Sequence, residues 1–237
     1  MALRLDFEVY LGPGGDPAEL IALLDQAGID RAVVMPRVQL RPDNRGLVAA
    51  LRGYDRLIPC ASVNPNFGEE AVQELRTAVT EWGMRGLKLM PPGFALNLLG
   101  PATLRVMAVA RELAIPVTIH SGPPPGHPLE IAALALRFPE VPIIMDHMGY
   151  RDYTGAAIAA AQLAPNIYLG TTLAAFEPGV VRAAVQAVGP TRVVFGSNAP
   201  SAYPDLAMES IRRLKLGREA EDLIFGENLR RIYRLPE

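Results

Sequence analysis

"PVTIHSGPPPGHPLEIAALALRFPEVPIIMDHMG", residues 116–149, holds in one stretch the pattern that decides the fold. A short β-branched run, PVTIHSG, leads through a proline- and glycine-rich loop into the alanine- and leucine-rich EIAALALRFP. The chain then returns to a second apolar run, PIIMDHMG. Short apolar runs bounded by proline and glycine read as buried strands, and the longer stretch between them reads as a helix. Two strands joined by a helix form a right-handed βαβ unit and call for a parallel sheet.

The same alternation extends to both ends of the chain. The other strand-like runs are LRLDFEVYL, RAVVMP, LIPCASVNP, RGLKLMP, IYLGTTL and RVVFGSNAP. Between them lie helix-like stretches such as DPAELIALLDQAG, EEAVQELRTAVTEWG, PATLRVMAVARELA and VVRAAVQAVG. Asp16-Pro17 and Gly100-Pro101 read as N-caps followed by proline, and Gly28, Gly83 and Gly189 fall where helix C-caps belong. Eight strands about 25 residues apart fit a closed (β/α)8 TIM barrel better than an open doubly wound sheet. No G-x-G-x-x-G follows the first strand, which counts against a dinucleotide site. The expectation is one α/β domain over residues 1–237. It is a minimal barrel, without room for a β-rich flanking subdomain ahead of a first strand that starts near residue 3.

Composition narrows the function classes. Half of the 237 residues are hydrophobic and the net charge is −2, with basic residues dispersed; this is no nucleic-acid footprint. Arg230, Arg231 and Arg234 lie at helical spacing and read as a solvated face or a homodimer contact. The single cysteine, Cys60, sits in the apolar run LIPCASV and reads as a buried thiol. Arg4, Asp6 and Glu8 interrupt any apolar leader, and no run has the length of a membrane span. A soluble, cytoplasmic protein with a small-molecule ligand and no nucleic-acid or membrane partner is expected.

In such barrels the site lies at the C-terminal ends of the strands, so polar residues there carry the information. Strand one offers Glu8 and Tyr10, which period-two alternation places with Asp6 on one face and opposite Leu5, Phe7, Val9 and Leu11. Strand three offers Asn64 and strand four Lys88, which points away from its neighbours Leu87 and Leu89. Strand five ends in His120 and Ser121, strand six in Asp146 and His147, and strand eight in Ser197 and Asn198. Two histidines ending adjacent strands put their backbones ~5 Å apart, which makes a shared polar pocket. A buried lysine needs a carboxylate partner, and Glu8 is the candidate. His127, in the SGPPPGHP loop, could line a lid or stand exposed in a loop. The loops 90–100 and 121–128 could close together over the site.

The order of LDFEVYLG, RGLKLMP, TIHSG, DHMG, FGSNAP and LIFGENLRRIYRL resembles the amidohydrolase superfamily. It is most similar to the branch of metal-dependent hydrolases related to the aminocarboxymuconate semialdehyde decarboxylases. The resemblance implies a metal held by a His-x-His pair on strand one, a strand-five histidine and a strand-eight aspartate, with a strand-six histidine acting on water or substrate. His120 and His147 match their counterparts. Glu8 and Tyr10 stand in place of the His-x-His pair, and Asn198 in place of the aspartate. Glu8 and His120 remain as candidate metal ligands for a single divalent ion, zinc first, or for none. Without an ion, Glu8 would pair with Lys88 or a protonated histidine. The resemblance thus implies a hydrolase of an ester, lactone or amide of a small carboxylic acid, or a decarboxylase, with weakened or absent metal dependence. In that reading His147 is the general base, His120 and Lys88 stabilise an oxyanion, and Asn198 completes the catalytic set. Tyr10, Asn64, Ser121 and His127 are its substrate contacts. The alternative is an inactive barrel that binds a small acid or a protein partner.

Overall fold

Eight parallel strands follow one another in chain order in the computed structural model, which describes residues 3–236. They are β1 (Leu5–Leu11), β2 (Arg31–Pro36), β3 in two pieces (Leu57–Pro59 and Ala61–Ser62), β4 (Leu87–Leu89), β5 (Val117–Ile119), β6 (Ile143–Met145), β7 (Ile167–Gly170) and β8 (Val193–Val194). At Cys60 the third strand changes partner. The Cys60 N–H still donates to Val34 of β2 at 2.8 Å, whereas the Ala61 N–H donates to Gly86, next to β4, at 2.9 Å. The ring closes between the chain after β8 and β1. Phe7 N–H donates to the Phe195 carbonyl at 3.0 Å, Asn198 N–H to Glu8 at 2.9 Å, and Tyr10 N–H to Ala199 at 2.8 Å. The sheet therefore has no free edge, and the barrel expected from the alternation is the fold. No described helix is long and apolar enough to cross a membrane.

Alternate strand residues enter two separate apolar clusters. Ala32, Val34, Leu87, Leu89, Val117, Ile119, Ile143 and Met145 pack outward against the helices. Val33, Met35, Ile58, Cys60, Ile144 and Val194 face inward and meet Leu229 and Ile232 of the C-terminal helix Asn228–Ile232, with Tyr233 just after it, and this helix plugs one end. Asn228 fixes that plug by donating to the carbonyls of Pro190 and Val193, both at 2.8 Å. Phe7 fills the barrel across β7 and β8. A Cβ at Gly170 or Gly196 would stand 2.4 Å from its ring, so only glycine fits at either position.

Phe7 lies on the same side as Glu8 and Tyr10, which corrects the alternation expected for β1. The β1–β2 register runs Asp6 to Ala32 and then Val9 to Val34, so β1 carries one extra residue. This β-bulge turns Leu5 and Phe7 inward below it, and Glu8 and Tyr10 inward above it. Asp6 points away from them and holds the bulge. Its Oδ1 accepts the N–H of Glu8 at 3.0 Å and that of Ser197 on the closing segment at 3.1 Å.

The helix Pro17–Ala27 is capped as expected by Asp16 and Gly28, and the helix Pro178–Val188 ends on Gly189. Gly83 is not a C-cap: the helix Glu69–Thr80 ends on Glu81, and Gly83 takes the left-handed turn that follows. The 90–100 loop is no open lid either. Phe94, Leu96 and Leu98 bury their side chains in the outer core, and Asn66 donates to the Phe94 carbonyl at 2.7 Å.

Candidate active site

At the C-terminal mouth, a buried cation sits between two buried carboxylates. The Lys88 ammonium donates to Glu8 Oε1 at 2.8 Å and makes a direct ion pair with Asp146 Oδ2. All three side chains are at most 1% exposed. Tyr10 adds a hydroxyl bond to Glu8 Oε1 at 2.6 Å. Burial alone would drive the Glu8 carboxyl up, but Lys88, His147 and Tyr10 outweigh it and hold it below the ordinary carboxylate range. Burial likewise opposes the charge on Lys88, and Asp146 with Glu8 overcomes it and lifts the ammonium well above its usual value. Burial, then Glu8, raises the Tyr10 phenol, so it stays a neutral donor. The trio is an internally compensated charge cluster.

Asp146 is the hub. Its Oδ1 accepts the Ser121 N–H at 2.9 Å, its carbonyl accepts the Ser121 hydroxyl, and that hydroxyl in turn accepts the Gly149 N–H at 2.9 Å. Ser121 therefore ties the end of β5 to the turn after β6. Its hydroxyl is spent on the backbone rather than on a ligand.

His120 and His147 meet edge to face above Asp146, with ring centroids 4.7 Å apart. His120 Nδ1 lies 3.7 Å from Asp146 Oδ1, and His147 Nε2 lies 3.6 Å from Asp146 Oδ2. His147 Nδ1 lies 3.3 Å from the Thr172 carbonyl. A carbonyl only accepts, so Nδ1 carries a proton, and the neutral tautomer this selects has its lone pair on Nε2. Burial lowers the His120 pKa, against the pull of Asp146, and keeps that ring neutral. His147 belongs to the turn Asp146–Gly149 rather than to β6 itself, and it takes a left-handed φ of 57°.

The remaining candidates divide. Asn198 joins the mouth through its backbone, with φ 69° and an N–H on the Glu8 carbonyl, where it helps close the barrel. Asn64 caps the short turn Pro65–Phe67 and donates to the Leu40 carbonyl at 3.3 Å. His127 caps the helix Pro128–Arg137 through Nδ1 and stacks edge-on against Tyr153 at 5.2 Å. Asn64 and His127 are thus engaged as local structure. Two participants carried no strong sequence signal. Asp6 was readable only as a strand carboxylate, and Thr172 contributes a backbone carbonyl that no side chain announces.

The donor set fits a divalent ion. One ligand atom each from His120, Asp146 and His147 lies within 4.8 Å of the others, and His120 Nδ1 is buried without a hydrogen-bond partner among the described residues. Two imidazoles and a carboxylate match divalent transition metals. Glu8, expected as a ligand with His120, is not in this group. It is bound to Lys88 and Tyr10, with only Oε2 unpartnered.

The amidohydrolase family model matches residues 9–235. No curated protein matches the sequence. Among solved structures, 5-carboxyvanillate decarboxylase of Sphingomonas paucimobilis superposes with a TM-score of 0.79 at 15% identity, over 100% of both chains. A probable 2-pyrone-4,6-dicarboxylic acid hydrolase of Acinetobacter baumannii, with citric acid bound, gives 0.74 at 16%, over 98% of this chain and 99% of the other. A dihydroxybenzoic acid decarboxylase of a Polaromonas species, with bound manganese and 2-nitroresorcinol, gives 0.75 at 17%, over 99% and 98%. At these identities the likeness establishes the fold.

Proposed function

The chain belongs to the amidohydrolase family, and on that premise we propose that it hydrolyses an ester, lactone or amide of a small carboxylic acid. One observation carries the reading. His147 Nδ1 is held by the Thr172 carbonyl, which leaves Nε2 beside Asp146 at the barrel mouth. Nε2 takes a proton from the attacking water, and Asp146 stabilises the imidazolium that forms. The same nitrogen returns the proton to the leaving group. His120, kept neutral by burial, donates a ring N–H to the developing oxyanion.

Lys88 acts differently from the expected oxyanion donor. Enclosed between Glu8 and Asp146, it fixes the carboxylate that orients the histidines, so it positions rather than touches substrate. A divalent ion, when bound, would be held by His120, Asp146 and His147 and would supply Lewis-acid polarisation, but it would occupy the His147 Nε2 lone pair, so the base role described above belongs to the ion-free site. The ion must share Asp146 with the Lys88 ammonium, which supports weakened metal dependence and leaves zinc or manganese as the ion to test. A cytoplasmic setting and a homodimer belong to the same reading.

Decarboxylation is the second reading, favoured by the Asp146–His147 pair, which can deliver a proton to carbon, and by neighbours named as decarboxylases. The test is a turnover panel of aryl lactones, esters and amides beside hydroxybenzoates. Hydrolysis of at least one of the first group supports the proposal. Turnover of hydroxybenzoates alone replaces it with the second reading. No turnover across the panel overturns both in favour of an inactive binding barrel.

A further inference from the structure

At the end of the barrel opposite His147, a cavity of about 420 Å³ opens where the chain enters β2, β3 and β4. Arg31 begins β2, Arg85 stands just ahead of β4, and Arg52 lies in the loop that joins the helix Asn44–Ala50 to β3. That loop turns at Gly53, with φ 87°. It is closed by the Tyr54 N–H on the Leu51 carbonyl at 3.0 Å and the Leu57 N–H on the Tyr54 carbonyl at 2.8 Å. The turn sets Arg52 and Tyr54 in the cavity wall, and buried Leu51 and Leu57 add an apolar surface beside them.

The three arginines differ from those that serve the fold. Arg56, at the end of the same loop, is held by Asp25 at 2.6 Å and by the carbonyls of Asp30 and Ile29 at 2.8 and 2.7 Å. Arg192 donates to three carbonyls at 2.7 to 3.0 Å. Arg31 instead makes one long bond, to the Asp55 carbonyl, and Arg85 one to the Tyr233 carbonyl, both at 3.3 Å. None of Arg31, Arg52 and Arg85 has an ion-pair partner among the described residues. A guanidinium carries five N–H donors, so most of those at this cavity are left to solvent or to a ligand.

Charge selects that ligand. Asp55 is the one acid among the described lining residues, so the three guanidiniums leave a net charge of +2 at the cavity. A phosphate monoester carries about −2 at neutral pH and three acceptor oxygens, which planar guanidiniums bind through paired N–H groups. A singly charged anion would leave the cluster half neutralised. The apolar surface of Leu51, Leu57 and Tyr54 calls for an organic body on the ester, and the volume lies in the range of small-molecule sites.

We propose that this cavity binds an organic phosphate monoester, held by Arg31, Arg52 and Arg85, at a site separate from the barrel mouth. The assignment is independent of the hydrolase reading, since no residue of the mouth takes part in it.

The test is calorimetry of the full chain with three probes: phenyl phosphate, its monoanionic isostere phenyl sulfate, and inorganic phosphate, which lacks the organic body. Phenyl phosphate should bind at a single site and most tightly of the three. Arg52→Gln and Arg85→Gln should each weaken it roughly tenfold, the loss of one charge-assisted contact, while His147→Ala leaves its affinity unchanged. Both arginine side chains are exposed, and unaltered melting curves show that the variants are folded. No binding of phenyl phosphate, equal binding of phenyl sulfate or inorganic phosphate, or an affinity unmoved by both arginine variants overturns the assignment. Loss of binding in His147→Ala overturns it as well, by moving the ester to the mouth.

Discussion

Replacing Lys88 by Met keeps most of the side-chain volume and removes the ammonium that Glu8 and Asp146 share. Two carboxylates, both fully buried, then face each other across an apolar stem. Removing one partner of a buried ion pair costs roughly 3–5 kcal/mol, which for a chain of this size is on the order of 10 °C in melting temperature. The loss depends on pH, with a sign the structure sets. In the wild type the Glu8 carboxyl is held below the ordinary range, so its stabilising contribution is present above the unfolded carboxylate pKa of ~4.3 and is lost as pH falls. In Lys88→Met, burial is no longer outweighed. The folded state then binds protons that the unfolded state does not, and the variant gains stability as pH falls toward ~5. Urea denaturation at pH 8 and pH 5.5 should therefore show a deficit that is largest at pH 8 and narrower at pH 5.5. Adding Glu8→Gln to Lys88→Met should recover part of it by removing one orphaned charge. A deficit under about 1 kcal/mol at pH 8, equal at both pH values, would refute the buried trio.

Asp6 has its carboxyl pushed up to about 7 by burial, against bonds from Ser197 and Glu8. The folded state therefore holds a proton that the unfolded state releases above ~4, and stability falls as pH rises toward 7. Asp6→Asn should cancel that slope, gaining on the wild type by roughly 1.4 kcal/mol per pH unit between about 5 and 7 in urea melts; parallel curves would contradict it. Gly196→Ala drives a Cβ into the Phe7 ring and should give little soluble protein, and Phe7→Leu in the same chain should restore some. Because Lys88 already neutralises Asp146, dialysis against a chelator should leave at least about half of the turnover. Complete loss, restored by zinc or manganese, would show that the ion is required.

Much of this was legible in the sequence. The alternation of short apolar runs with alanine-rich stretches gives eight strands and one barrel. The rule that polar strand-end residues mark the site brings Glu8, Tyr10, Lys88, His120 and His147 to one mouth. The failures have physical causes. Period-two reading of LDFEVYL put Phe7 opposite Glu8, because a bulge adds a residue that alternation does not register. Asp146 stood at a strand end, but its part as the second partner of Lys88 depends on a distance across the barrel, not on spacing along the chain. The left-handed turn from His147 to Arg151 has one glycine among five residues, so local propensity gave no sign of it. Asn64 and His127, read as substrate contacts from a strand end and a loop, each also cap a helical turn, a use of polar residues that their positions in the sequence do not separate from ligand binding.

We propose His147, aimed by the Thr172 carbonyl and backed by Asp146, as the base at this mouth. The most direct test is the kcat of His147→Ala on the best substrate of the panel, with and without added imidazole. The expected fall is roughly 10²–10⁴-fold, the usual worth of a positioned general base, with part of the loss recovered by imidazole in a folded variant. A variant that keeps more than about a tenth of the wild-type rate, or loses all of it without any response to imidazole, would contradict it.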